Sequence, residues 1–176
     1  NFDDNRSWGF SDHIGTTVVE GDYIFNLGGY GTRGNIELHG DLTVLAQSNS
    51  YALSSITLAG SGDQTITHTA GAFPRYTFII NKPSGNVVLA SNLTMTDASQ
   101  TVNLLSGQIL LGGYTWSIAG NLVLGASQTV DLGGGSLSTK TLNLNSGSIV
   151  DLNGGTLTVN GSPVVAGPYG SGSVTD

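Results

Sequence analysis

The chain has no cysteine, which excludes disulfides, thiolate metal sites and cysteine nucleophiles together. Charge is scarce too: 10% of residues are charged, against roughly 25% in an ordinary globular protein. Arg6, Arg33, Arg75, Lys82 and Lys140 are its permanent cations, in a chain of net charge −7. So few cations cannot neutralise a phosphate backbone, and nucleic acid is not an expected partner. No apolar run reaches the roughly 18 to 20 residues of a membrane-spanning helix, and no basic amphipathic segment occurs. No segment keeps apolar residues at a 3.6-residue spacing for three turns, so helices are not expected.

What is present is small and polar. Glycine alone supplies 27 of the 176 residues, and serine, threonine and asparagine are abundant. Such a composition can mark flexible linkers, but 38% of the residues are apolar and they recur at regular spacing, which argues for a folded chain. The length suits one domain with a continuous core. Starting at Asn1 without an initiating methionine, the chain reads as a mature or excised fragment. The lack of cysteine does not fix the compartment, but many bacterial surface repeat proteins share it, and a prokaryotic extracellular or cell-surface location is the expectation.

From about residue 35 onward, short segments alternate apolar and polar residues, the period of a strand with one buried face. Examples are Ile36/Leu38, Leu42/Val44, Ile56/Leu58, Phe78/Ile80, Leu93/Met95, Val102/Leu104 and Ile109/Leu111. Gly, Asn, Asp and Ser, which tolerate tight turns, fill the intervals. Residues 121–140, NLVLGASQTVDLGGGSLSTK, align without a gap on residues 141–160, TLNLNSGSIVDLNGGTLTVN. Leu122 falls on Leu142, Leu124 on Leu144, Val130 on Val150, Leu132 on Leu152 and Leu137 on Leu157, a period of 20. ASQTVNL at 98–104 matches ASQTVDL at 126–132, and SGQILLGGYTWSI at 106–118 resembles SGSIVDLNGGTLTV at 146–159.

A repeating unit of short strands and turns is one coil of a solenoid, whose neighbours cover each other's apolar residues. A sandwich or barrel has no reason to repeat the same apolar positions 20 residues later. The expected fold is therefore all-β: a parallel, right-handed β-solenoid (β-helix) of about 20-residue coils. Residues 35–176 are assigned to the repeats. Residues 1–34, rich in aromatics and acids, are assigned to an atypical N-terminal cap that closes the core.

The runs GSGDQTIT at 60–67, RYTFIINKPSGNVVLASNLTM at 75–95 and SGQILLGGYTWSI at 106–118 resemble bacterial extracellular β-solenoid surface repeats. TLTVNGSPVVAGPYGSGSVTD at 156–176 is similar to the closing phrase of autotransporter-associated β-strand repeats and related anchored surface proteins. This resemblance implies an extracellular spacer, stalk or adhesive surface, and it transfers no catalytic residue. The last strand stops short of the family's pattern, as expected of a fragment or of a subunit whose final rung a neighbour completes.

Enzymes built on β-helices need acids or bases clustered on adjacent coils. Asp131 and Asp151 occupy equivalent positions and would stack about 4.8 Å apart, but with no base nearby in sequence they read as turn-flanking residues rather than a catalytic or calcium-binding pair. His13, His39 and His68 lack metal-ligand spacing. LGGYGTRG at 27–34 lacks the strand-to-helix setting of a phosphate loop and reads as a turn. Asp3, Asp4, Asp12 and Asp22, with Glu20, supply hard oxygens that could hold Ca²⁺, although no EF-hand or nonapeptide pattern accompanies them. No other cofactor is expected.

The leading expectation is a non-catalytic structural or adhesive module that self-associates end to end into a stalk or filament. The competing expectation is a carbohydrate-binding module of a secreted polysaccharide-acting protein, because sugars stack on exposed aromatic faces. Trp8, Tyr30 and Tyr114 are its candidate residues, whereas Trp116 takes the place of Leu157 and is expected in the core. Thr65/Thr67, Thr94/Thr96, Thr139/Thr141 and Thr156/Thr158 do not recur at one repeat position, so no flat threonine rank of the kind that meets ice is expected.

Overall fold

The structure, a computed structural model, describes residues 2–3, 15–25, 34–45, 55–73, 75, 77–161 and 173–175. Among these residues there is no helix, and sixteen parallel strands join in one sheet. The sheet winds into a β-solenoid of about six turns with coils about 21 residues apart, the all-β fold expected from the repeats. Among the described residues no helix is long and apolar enough to cross a membrane.

A complete coil crosses three faces in order. Face I holds strands such as Thr16–Val19, Asn35–Leu38 and Ile56–Leu58, then the first halves of Phe78–Leu89 and Thr101–Leu110 and the second halves of Thr115–Leu124 and Ser136–Leu144. Face II holds Phe2–Asp3, Tyr23–Phe25, Leu42–Val44, Gln64–His68, the second halves of Phe78–Leu89 and Thr101–Leu110, and then Thr129–Asp131, Ile149–Asp151 and Ser173–Thr175. Face III holds Leu93–Met95, the first halves of Thr115–Leu124 and Ser136–Leu144, and Thr156–Val159. The parallel ladder thus begins before residue 35, with Thr16–Val19 and Tyr23–Phe25 already stacked on the strands that follow.

Alternation decides what fills the interior. On face I, Val19, Leu38, Leu58, Ile80, Leu104, Leu124 and Leu144 stack in one inward column. On face II the column is Gln64, Val87, Ile109, Val130 and Val150, continued in register by the exposed Val174, and on face III it is Leu93, Trp116, Leu137 and Leu157. Leu38, Leu58, Ile80, Leu104 and Leu124 are completely buried, and each contributes about 1.5–3 kcal/mol through loss of apolar surface from water. Trp116 lies in the core, as its alignment with Leu157 indicates.

The 20-residue equivalences Leu122/Leu142, Leu124/Leu144, Val130/Val150 and Leu137/Leu157 are all register pairs. The 28-residue recurrence of ASQTV is not. Val102 pairs with Leu122, and Val130 pairs with Ile109, so the same phrase makes turns at two different corners. Asn103 accordingly neighbours Ile79 and Val123, not Asp131.

The corners follow from backbone conformation. Between faces II and III, Gly112/Gly113, Gly133/Gly134 and Asn153/Gly154 take consecutive left-handed conformations, with φ of 58/88°, 50/79° and 41/75°. Glycine and asparagine adopt that region at least cost. Elsewhere acids and amides hold coils together: Asp22 Oδ1 accepts from Asp41 N at 3.0 Å, Asp41 Oδ1 from Thr65 N at 2.7 Å, Asp63 Oδ1 from Asn86 N at 2.8 Å and Asn92 Oδ1 from Thr115 N at 2.9 Å.

Candidate functional site

Inward positions are set by the core, so any site must come from outward columns or from corners. On face I the outermost outward column is Thr16, Asn35, Ser55, Thr77, Thr101, Asn121 and Thr141. Some of these polar groups bond along the column: Ser55 Oγ donates to Asn35 Oδ1 and Thr141 Oγ1 to Asn121 Oδ1, both at 2.7 Å. Face II presents a mixed column of Thr65, Val88, Leu110, Asp131, Asp151 and Thr175.

Face III differs in kind. Its two outward columns are Asn92, Thr115, Ser136 and Thr156, and Thr94, Ser117, Ser138 and Thr158. Neither contains a charged or apolar side chain. Asn160 Nδ2 donates to Ser138 Oγ at 3.0 Å, while the hydroxyls of Thr94, Thr115, Ser117, Ser136, Thr156 and Thr158 make no hydrogen bond with other described residues. A grid of hydroxyls, spaced about 4.8 Å between coils and about 6.7 Å along each strand, thus faces outward with its donors and acceptors available. Serine counts with threonine in these ranks, which the threonine pairs alone conceal. Thr65/Thr67 lie on face II, Thr139 is buried, and only Thr94 and Thr156/Thr158 belong to the grid.

Tyr114 stands at the rim of this grid, in the turn leading to Thr115, and is 39% exposed. The corresponding positions on neighbouring coils are Ser91, Gly135 and Gly155, so no large side chain flanks it along the column. Of the other candidates, Trp8, Tyr30, Asp4 and Asp12 lie outside the described residues, as does most of the 27–34 turn. Asp3 is in strand Phe2–Asp3, paired with Ile24. Asp22 is partly buried, with one oxygen committed to Asp41 N. Among the described residues, no three His, Cys, Asp or Glu side chains gather as a metal site would need.

Asp131 and Asp151 are register neighbours, as their alignment requires. Asp131 Oδ1 accepts from Gly133 N at 2.9 Å and from Asn153 Nδ2 at 3.3 Å, the bonding of a residue that shapes a corner. His39 bridges two glutamates, with Nδ1 2.8 Å from Glu20 and Nε2 3.0 Å from Glu37. The hydrogen bond to Glu37, followed by that to Glu20, holds its pKa above the ordinary histidine value. Asp97 is held low by hydrogen bonds from the Ser99 hydroxyl and backbone N–H, with Arg75 3.9 Å away assisting.

Sequence reasoning did not anticipate the polar cluster in the corner between faces I and II. Lys82 is 2% exposed, and its Nζ donates to Gly60 O at 2.8 Å and Gln64 Oε1 at 2.7 Å. Gln64, also buried, accepts from Gly60 N and donates to the carbonyls of Leu38 and Gly40. Burial pushes the Lys82 pKa down, partly offset by Asp63 and Asp41. A lone lysine where preceding coils carry glycine is the signal that could have found it. Its bonds join successive coils, so its role is to position them.

Comparison with protein families, curated proteins and solved structures gave no match for this chain.

Proposed function

We propose that the chain is a structural and adhesive module of the prokaryotic cell exterior, giving length and rigidity through stacked coils rather than performing catalysis. The observation carrying this reading is the column from Val19 to Leu144, in which seven rungs, six coil steps, keep one register and one continuous core. In such an array each coil is supported by its neighbours, and the stack resists bending because every ladder hydrogen bond lies along the axis. The strand Thr156–Val159 pairs with Ser136–Thr139 on one edge, and no other described strand takes its second edge. An edge of this kind is a template for another chain, which supports end-to-end assembly into a stalk or filament.

Spin labels on Thr16→Cys and Thr141→Cys test the rigid spacer. Six coil steps of about 4.8 Å separate the two positions, so a single narrow distance near 29 Å is expected. A broad distribution would remove the spacer reading. Light scattering across protein and salt concentrations tests assembly: growth with concentration supports it, and monomers throughout eliminate the filament while leaving the spacer intact.

A further inference from the structure

We infer that face III binds a neutral polysaccharide chain, which stacks a sugar ring on Tyr114 and hydrogen-bonds along the hydroxyl ranks of Thr94, Ser117, Ser138 and Thr158 and their companion column. Three independent observations converge on this surface. Its outward columns are free of charge in a chain of net charge −7. An anionic ligand would meet overall repulsion, and a cationic one has no carboxylate here to bind. Six of the seven hydroxyls on face III make no hydrogen bond with other described residues, and Ser138 Oγ accepts one from Asn160 Nδ2. An exposed aromatic stands at the rim, with only serine or glycine at the same position on adjacent coils.

These features match the chemistry of a sugar polymer. Ring C–H groups pack on an aromatic face, and hydroxyls exchange hydrogen bonds with donor–acceptor side chains. The grid repeats from coil to coil, so a repeating ligand gains weak contacts on several rungs at once, and binding strengthens through multivalency. Serines hold three of the four positions on the middle rungs, with Thr115 the fourth, presenting hydroxyls with few methyls, which favours polar exchange over an apolar contact. The inference extends the spacer reading and stands apart from it, since the distance measurement above does not involve face III.

Sedimentation with insoluble cellulose, chitin and β-1,3-glucan tests the proposal. The wild-type chain should be retained on at least one of them, to the same extent at low and high salt. Ser117→Asp, Ser138→Asp and Tyr114→Ala should each reduce retention at least tenfold, while Asn103→Asp on face I should leave it unchanged. Circular dichroism and the melting temperature identify which variants remain folded. No retention on any polymer would overturn the proposal, as would equal retention by folded face III variants. Partition into growing ice without polymer retention would overturn it in favour of ice. A dimer dispersed by Ser138→Asp, again without polymer retention, would overturn it in favour of a second copy of the chain.

Discussion

Lys82 Nζ donates to Gln64 Oε1 at 2.7 Å across adjacent coils, inside a corner where both side chains are buried. This contact joins the carbonyls of Leu38, Gly40 and Gly60 into one polar pin through three coils.

Cutting the pin should cost stability according to what is left unpaired. Lys82→Met removes the donor to Gly60 O and should cost about 1–3 kcal/mol. Gln64→Leu leaves the ammonium with Gly60 O alone and removes the partner of Gly60 N and of the Leu38 and Gly40 carbonyls, and should cost about 3 kcal/mol, the upper end of that range. Because burial lowers the folded pKa of Lys82, the unfolded chain binds more protons between that pKa and the unfolded value near 10.4. Stability should therefore rise with pH through that window, and chemical denaturation should show the rise vanishing in Lys82→Met.

The His39 contact has the opposite pH dependence. Its raised pKa, from Glu37 and then Glu20, means the stabilisation is complete below the ordinary histidine value near 6.5 and is lost as pH rises through the folded pKa. Glu20 is 80% exposed and Glu37 39%. Screening therefore holds the effect to a few tenths of a kcal/mol and high salt erases it. NMR titration of His39 should give a lower pKa in Glu37→Gln than in the wild type.

The corners separate backbone strain from steric exclusion. A Cβ at Gly60 would lie 2.0 Å from the His39 carbonyl oxygen. Gly60→Ala must therefore push coils apart and should cost about 3 kcal/mol or more, as overpacking against backbone does. Gly62 has φ of 88° but open space around it, so Gly62→Ala should cost only about 1–2 kcal/mol. Ser127 holds a left-handed φ of 61°, and Ser127→Gly should raise stability by about 0.5–1 kcal/mol in the same denaturation assay.

Trp116 is completely buried, yet its Nε1 has no hydrogen-bond partner among the described residues. Trp116→Leu restores the residue type of Leu93, Leu137 and Leu157 in its column. Lost packing is then offset by removal of an unsatisfied donor worth about 1–3 kcal/mol. The net change should stay within about 1 kcal/mol, whereas Trp116→Ala should cost about 3–5 kcal/mol. Thermal denaturation of the two variants compares them.

The inward columns were legible in the sequence because equivalent positions on stacked coils meet the same surroundings. Leu122/Leu142 and Trp116/Leu157 could be aligned without knowing the winding. The outward grid was not legible, since assigning a small polar residue to a face requires every coil length. Coil steps vary: Val19 pairs with Leu38, but Ile80 with Leu104, and the extra residues lie in corners. A repeated phrase such as ASQTV therefore marks turn chemistry rather than position. The buried Lys82 also escaped detection, because its partners, the Gly60 carbonyl and Gln64 Oε1, lie on the preceding coil and meet it only once the winding is known.

The account depends most on the in-register parallel stacking of successive coils, and the absence of native cysteine makes it directly testable. Ser138 and Thr158 are register partners on face III. Parallel neighbours about 4.8 Å apart fall within disulfide reach, while a position two residues out of register lies about 8 Å away, beyond it. Mild oxidation of Ser138→Cys/Thr158→Cys should close an intramolecular disulfide nearly completely, and Ser138→Cys/Thr156→Cys should remain reduced. A reduced first pair, or equal closure of both, would contradict the stacked solenoid.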